Sequence, residues 1–185
     1  MSAFPAKLAG GATLKLEHSA DELVCRLLNL DPRLQLALLD SCGESESGGR
    51  YLIAGVQPYE TITECGGVVT RQFTGRTEAE VLSQTVLDAL DHRLREGVGS
   101  TKRTKWAGGC IATLSYEFGR RFELPRNRES SVEVEPEAEL AFFDALIIHD
   151  YSTGESYVAG ERPGRLSEIR ELVSNSPGDR EAKPV

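Results

Sequence analysis

Residues 34–73, LQLALLDSCGESESGGRYLIAGVQPYETITECGGVVTRQF, carry the pattern that decides the fold class. LQLALLDS is a continuous apolar run closed by turn residues, as expected of a fully buried strand. After the loop CGESESGGR, residues 51–56 and 61–65 read as strands on either side of the Gln57-Pro58 break. Gly66-Gly67, between TITEC and VVTRQF, has the form of a two-residue hairpin turn, because only glycine accepts positive φ without cost at both central positions. The stretch is expected to be an antiparallel meander.

Working outward, residues 20–30, ADELVCRLLNL, place Leu23, Leu27 and Leu30 on one helical face, and Asp31-Pro32 stops the helix because the residue before proline disfavours the helical region. Residues 78–96 are predicted as a second helix, with Val81, Leu82, Val86, Leu87, Leu90 and Leu94 recurring at three- and four-residue steps and Gly97 placed to cap it. The following linker GVGSTKRTK lacks the G-x-x-x-x-G-K-[ST] spacing of a phosphate loop. GGCIATL then begins as an apolar strand. Residues 136–160, PEAELAFFDALIIHDYSTGESYVAG, read as two strands with 152–155 as the turn, and residues 166–173 as a final helix on which Leu166, Ile169 and Val173 share a face. The expectation is an α+β fold: a mainly antiparallel sheet with flanking helices in one domain over residues 13–176, between a flexible stretch at 1–12 and a disordered tail at 177–185.

The totals narrow the function classes. With 185 residues, 39% of them apolar, the chain can bury a core without disulfides or metal. No apolar run reaches the length of a membrane span, and the first residues lack a signal-peptide layout, so a soluble cytosolic protein is expected. A net charge of −8, from 29 acidic and 21 basic residues, leaves no basic footprint for nucleic acid or anionic lipid. Lys102, Arg103 and Lys105 beside Trp106 read as a solvated linker. The cysteines (Cys25, Cys42, Cys65, Cys110) and histidines (His18, His92, His149) form no C-x-x-C or H-E-x-x-H spacing, so reduced thiols and no metal site are expected.

Residues 106–123, WAGGCIATLSYEFGRRFE, closely resemble the G-G-x-x-G-x-x-[SG]-Y-[DE]-x-G-R-x-x-E signature in the amino-terminal region of aminodeoxychorismate synthase and anthranilate synthase large subunits. Gly108, Gly109, Ser115, Tyr116, Glu117, Gly119, Arg120 and Glu123 fall on it, and Ala112 departs from the glycine usual there. Residues 37–62, ALLDSCGESESGGRYLIAGVQPYETI, are similar to the family's L-L-[EH]-S, variable loop, [ST]-R-[FY]-x-[IF] segment. Ser41, Arg50 and Tyr51 occupy the matching positions, with Gly49 and Asp40 as departures. RRFE followed by Leu124-Pro125 favours the aminodeoxychorismate, or para-aminobenzoate, branch.

The resemblance covers most of residues 20–165 and implies the N-terminal part of the family's α/β sandwich. In that family a carboxy-terminal domain, which this sequence does not reach, binds chorismate and Mg2+. This chain is therefore expected to have no catalytic residues, no metal and no cofactor of its own, and to contribute to folate-precursor synthesis only with a chorismate-binding domain and a glutamine amidotransferase. The resemblance also implies a tryptophan site at Ser41, Arg50 and Tyr51, where an indole needs an apolar slot and its carboxylate a paired polar contact. Gly108, Gly109, Tyr116, Glu117, Gly119, Arg120 and Glu123 are expected to be structural or interdomain: a strand ending in a glycine turn calls for a buried tyrosine hydroxyl and an Arg/Glu pair to satisfy backbone groups. The alternatives are half of a split anthranilate synthase, a stand-alone tryptophan sensor, or a truncated gene product with a sticky apolar face. Open sheet edges would favour self-association.

Overall fold

The computed structural model describes residues 12–44, 49–98, 108–120, 122 and 135–178. Along the chain run β1 (Ala12–Leu16), α1 (Ala20–Leu28), β2 (Leu36–Asp40), β3 (Tyr51–Val56), β4 (Glu60–Cys65), β5 (Val68–Phe73), β6 (Glu80–Leu82), α2 (Val86–Val98), β7 (Gly109–Leu114), α3 (Tyr116–Arg120), β8 (Ala138–Phe143), β9 (Ala145–Asp150), β10 (Glu155–Gly160) and α4 (Pro163–Asn175). The class is α+β and antiparallel, as expected, but the strands form two sheets where one was anticipated, and the chain divides into two compact units. The first takes its described residues from 1–57, 102–109 and 143–185, the second from 58–101 and 110–142.

In the first unit the strand order is β1-β10-β9-β3-β2. Its core gathers Leu52, Ala54 and Val56 of β3, Ala145 and Ile147 of β9 and Val158 of β10 with Leu23 and Leu27 of α1 and Leu166, Ile169 and Val173 of α4. Each of the leucine, isoleucine and valine side chains, fully buried, contributes about 1.5–3 kcal/mol of transfer free energy. Ser19 caps α1 by accepting from the Glu22 N–H at 3.3 Å. Arg26 reaches the other helix and donates to the carbonyls of Ser174 at 2.9 Å and Ser176 at 2.5 Å, filling acceptors that the end of α4 leaves open. In the second unit the order is β6-β5-β4-β8-β7, and Ile62, Val69, Ala138, Leu140 and Phe142 pack with Val86 and Ala89 of α2 and Phe118 of α3.

Several expectations need correction. The meander breaks at Gln57-Pro58: Gln57 takes φ 53° and β3 and β4 enter different sheets. The hairpin at Gly66-Gly67 forms as expected, with φ of 59° and 82°. The long helix at 78–96 is a strand followed by a shorter helix. Val81 pairs with Thr70 and Leu82 with Val69, and Arg71 holds Glu80 at 2.7 Å, so cross-strand pairing wins over helical periodicity there. Thr85 then starts α2, accepting from the Asp88 N–H at 3.2 Å and donating to the Asp88 carboxylate at 2.7 Å. Gly97 lies inside that helix instead of capping it. Residues 136–151 hold two strands, not one, because β8 ends at Phe143 and β9 restarts at Ala145 in the other sheet. β1, unforeseen, pairs with β10 from Ala12↔Gly160 to Leu16↔Ser156. Most of the flexible start and of the tail expected to be disordered lies outside the described residues.

Candidate functional site

Arg50, Tyr51 and Ser41 are brought together at one end of the first unit's sheet, where β2 stops at Asp40, β3 begins at Tyr51 and β9 ends at Asp150. The register sets Tyr51 opposite Asp150, which gives Arg50 its partner. Arg50 donates from Nε to Asp150 Oδ1 at 2.9 Å and from Nη2 to Oδ2 at 2.6 Å, a bidentate fork. Asp150 Oδ1 also accepts from the Ser152 N–H at 3.0 Å and hydroxyl at 2.8 Å, closing the turn into β10. These bonds, Arg50's first, hold the Asp150 carboxyl at about 2, and Asp150 in turn pushes the guanidinium pKa up. The guanidinium lies 5.1 Å from the Tyr51 ring centroid. Ser41 donates its N–H to the Tyr51 carbonyl at 3.2 Å and its hydroxyl to the Gly43 carbonyl at 2.9 Å.

The neighbouring polar groups interlock in the same way. Tyr151 donates its hydroxyl to Asp40 Oδ1 at 2.8 Å, which also receives the Cys42 N–H at 2.8 Å; burial, then Asp40, pushes the phenol pKa up. His149 is buried, with Nδ1 at 2.8 Å from Ser156 Oγ. The Ser156 hydroxyl gives its proton to the His18 carbonyl at 2.6 Å, so the hydrogen between His149 and Ser156 belongs to Nδ1. Burial lowers the His149 pKa and favours the neutral ring. A ligand carboxylate arriving at Arg50 would therefore compete with Asp150 for two of its donors.

The signature residues fall into two settings. Gly108 takes φ +120°, and a Cβ there would stand 2.5 Å from the Phe143 carbonyl oxygen and 3.3 Å from Asp144 Cα. Gly55 and Gly160 crowd the same bend: their added Cβ atoms would meet the Phe143 ring at 2.6 Å and the Asp144 carbonyl at 2.8 Å. The Asp144 carboxylate is bound by Arg162 and, at 3.5 Å, by Arg165. Arg165 also donates to the carbonyls of Val56 at 3.0 Å and Gln57 at 3.3 Å. The Phe143-Asp144 backbone is thus crowded and held by parts of the first unit far apart in sequence. Gly109 opens β7 with only ordinary contact in prospect, 3.6 Å to Leu146 Cδ1.

Tyr116, Glu117, Gly119 and Arg120 form α3, capped by Ser115, whose hydroxyl accepts from the Phe118 N–H at 3.1 Å. Only Phe118 of this helix points inward. Tyr116 is 81% exposed, and Arg120 pairs with Glu117 at 3.0 Å on the surface, so the expected buried hydroxyl and ion pair are not what these residues supply. One helical turn rotates them outward where a strand end would have kept them in. A Cβ at Gly119 would meet nothing within 4 Å. Glu123, Arg121 and Trp106 lie outside the described residues.

A buried ion pair escaped the sequence reading. Glu60 is fully buried on β4 and accepts from Arg93 Nη2 of α2 at 2.5 Å; the same nitrogen donates to Tyr59 Oη at 3.2 Å, and the guanidinium lies 5.5 Å from the Phe142 ring centroid. Glu60 Oε1 has no hydrogen-bond partner among the described residues. Burial first, then Glu60, pushes the Cys110 thiol up to about 11. The strand ETITEC carried the signal, since its alternation puts Glu60 on the face of Ile62.

Among the described residues no group of His, Cys, Asp and Glu side chains is arranged to hold a metal ion, and no helix is long and apolar enough to cross a membrane. The arrangement of strands and helices has a counterpart among solved structures. The fold resembles that of anthranilate synthase component I. The match is to the enzyme component from Streptococcus pneumoniae, with a TM-score of 0.52 and 17% identity over 71% of this chain. The chain spans 30% of that protein's length. No protein-family model matches the sequence, and no curated protein matches it significantly.

Proposed function

We propose that this chain is a non-catalytic module of a chorismate-utilising synthase, contributing to chorismate amination together with a chorismate-binding domain and a glutamine amidotransferase. The fold match to anthranilate synthase component I carries this reading. Two sequence segments support it: residues 106–123 with the family signature and residues 37–62 with the L-L-x-S and R-[FY] elements. The module's role is scaffolding. Two observations support that reading: Arg50 is held by Asp150 in a bidentate pair, and His149 has committed its Nδ1 proton to Ser156. RRFE-Leu124-Pro125 favours the aminodeoxychorismate branch, with magnesium held by the chorismate-binding domain.

The test is co-purification of the tagged chain from its native cells, with mass spectrometry of the eluate and an assay with chorismate, Mg2+ and ammonia. A partner or continuous polypeptide bearing chorismate-binding motifs, with formation of aminodeoxychorismate, supports the proposal; anthranilate as product moves it to the other branch. Recovery of the chain without partner or product refutes it. Tryptophan binding at Ser41, Arg50 and Tyr51 requires Arg50 to exchange Asp150 for the ligand carboxylate, and calorimetric titration of the chain with tryptophan measures whether it does.

A further inference from the structure

Helix α2 presents apolar side chains on two sides. Val86 and Ala89 are buried against the second unit's sheet, and Arg93 reaches Glu60 from the same side. Leu87 and Leu94 are 42% and 53% exposed. They are seven residues apart, so they lie along one stripe, and the half-buried Leu90 borders it. Asp88 and Arg95 repeat the seven-residue spacing on one flank of that stripe, the acid towards the N-terminal end and the base towards the C-terminal end. Within one helix these two charges are about 10 Å apart along the axis and cannot pair. Asp88 instead bonds Thr85, and Arg95 takes Asp91 at 2.8 Å.

This pattern is its own complement under a two-fold axis. When two such helices lie antiparallel, Leu87 of one meets Leu94 of the other, and Asp88 faces Arg95 on the same flank, twice over by symmetry. Parallel two-fold pairing would put the Asp88/Arg95 flanks of the two copies on opposite sides of the seam, where these charges form no pair. We propose that α2 docks antiparallel on α2 of a second copy of this chain. Asp91 sits between the two leucines and close to the two-fold axis, so the two copies bring like charges together there. That repulsion, and a contact limited to a few helical turns, make the association reversible and concentration-dependent.

Sedimentation equilibrium of the full chain, from about 5 to about 500 µM, reads a dissociation constant in the range of small interfaces. The wild-type chain is expected to shift from monomer to dimer across that range, and Asp91→Leu, which joins the leucines into a continuous seam, to tighten the dimer at least about tenfold. Leu87→Glu with Leu94→Glu leaves a monomer whose far-UV circular dichroism matches wild type. In a Cys42→Ser, Cys65→Ser background, Asp91→Cys forms a disulfide between copies, whereas Leu87→Cys, which would meet itself only in a parallel pair, does not. A chain that stays monomeric with and without Asp91→Leu overturns the proposal. So does a dimer that survives the paired glutamates, because edge-strand pairing would then account for it.

Discussion

Replacing Gly108 with alanine isolates the tightest approach of a glycine to backbone among the described residues. At φ +120° an L side chain is strained, which costs about 1–3 kcal/mol. The new Cβ would also lie 2.5 Å from the Phe143 carbonyl oxygen, and because that atom is backbone, no rotamer change relieves it. The Asp144 that follows Phe143 is itself held by Arg162 and Arg165. Forcing such a site open costs about 1–3 kcal/mol more. The sum, about 2–6 kcal/mol, is a large share of the 5–15 kcal/mol by which domains are typically stable. Urea unfolding at 25 °C, followed by far-UV circular dichroism, should show a midpoint lowered by at least about 1 M at an m-value of about 2 kcal/mol/M. Gly109→Ala is the control: its Cβ would make only ordinary contact with Leu146, and its midpoint should move by less than half as much. If Gly108→Ala unfolds within about 1 kcal/mol of wild type, the crowding argument fails and the glycine has another reason to be there.

Asp150→Asn leaves Arg50 without its ionic partner and should destabilise by about 1–3 kcal/mol, less if the guanidinium, 45% exposed on its side chain, rehydrates. The wild-type contribution is full above the ordinary carboxylate value of 3.8 and is lost as pH falls through about 2, so an acid titration of the urea midpoint should separate the two proteins least at the lowest pH. His149 is held neutral, so the unfolded chain takes up its proton near 6.5 before the folded one can. Stability is therefore retained above that pH and drops below it, and His149→Gln should lose less midpoint between about pH 7.5 and about pH 5.5 than wild type. Arg93→Leu strands a fully buried Glu60 carboxylate and should cost about 3–5 kcal/mol in the same melt, whereas Glu60→Leu with Arg93→Leu should cost less than the single change. A double variant worse than Arg93→Leu alone would contradict a purely pairwise account.

Much of the architecture was legible because it rests on local chemistry. The leucine spacing and Asp31-Pro32 mark out α1, and Gly66-Gly67 dictate their hairpin. Even β1 was readable in retrospect: in ATLKL, Leu14 and Leu16 turn inward while Thr13 and Lys15 face water. The split of β8 from β9 was not, since AFFDALIIHD is buried along almost its whole length and shows no alternation from which a change of sheet could be inferred. β6 was hidden by the opposite problem, its Val81 and Leu82 continuing the helical period of α2 by coincidence. At the site, Ser41, Arg50 and Tyr51 could be singled out, but not Asp150, which lies 100 residues from Arg50 and is joined to it only through the pairing of β3 with β9. A bond of that kind is a property of register, and no short window of sequence holds it.

The strands of the second sheet, β4 to β8, all lie in sequence between β3 and β9, which are neighbours in the first. During synthesis this ordering separates the two units in time. The second can complete its sheet once residue 143 has emerged, while the β2–β3 hairpin must wait for a partner about 90 residues further on. At a translation rate of about 5–20 residues per second that wait is roughly 5–20 s. For that interval Leu52, Ala54 and Val56 have neither β9 nor α4 to cover them. The ribosome-bound chain is therefore most exposed to aggregation and to chaperone capture between the appearance of β3 and that of α4, and a stall in that window would be more damaging than one later.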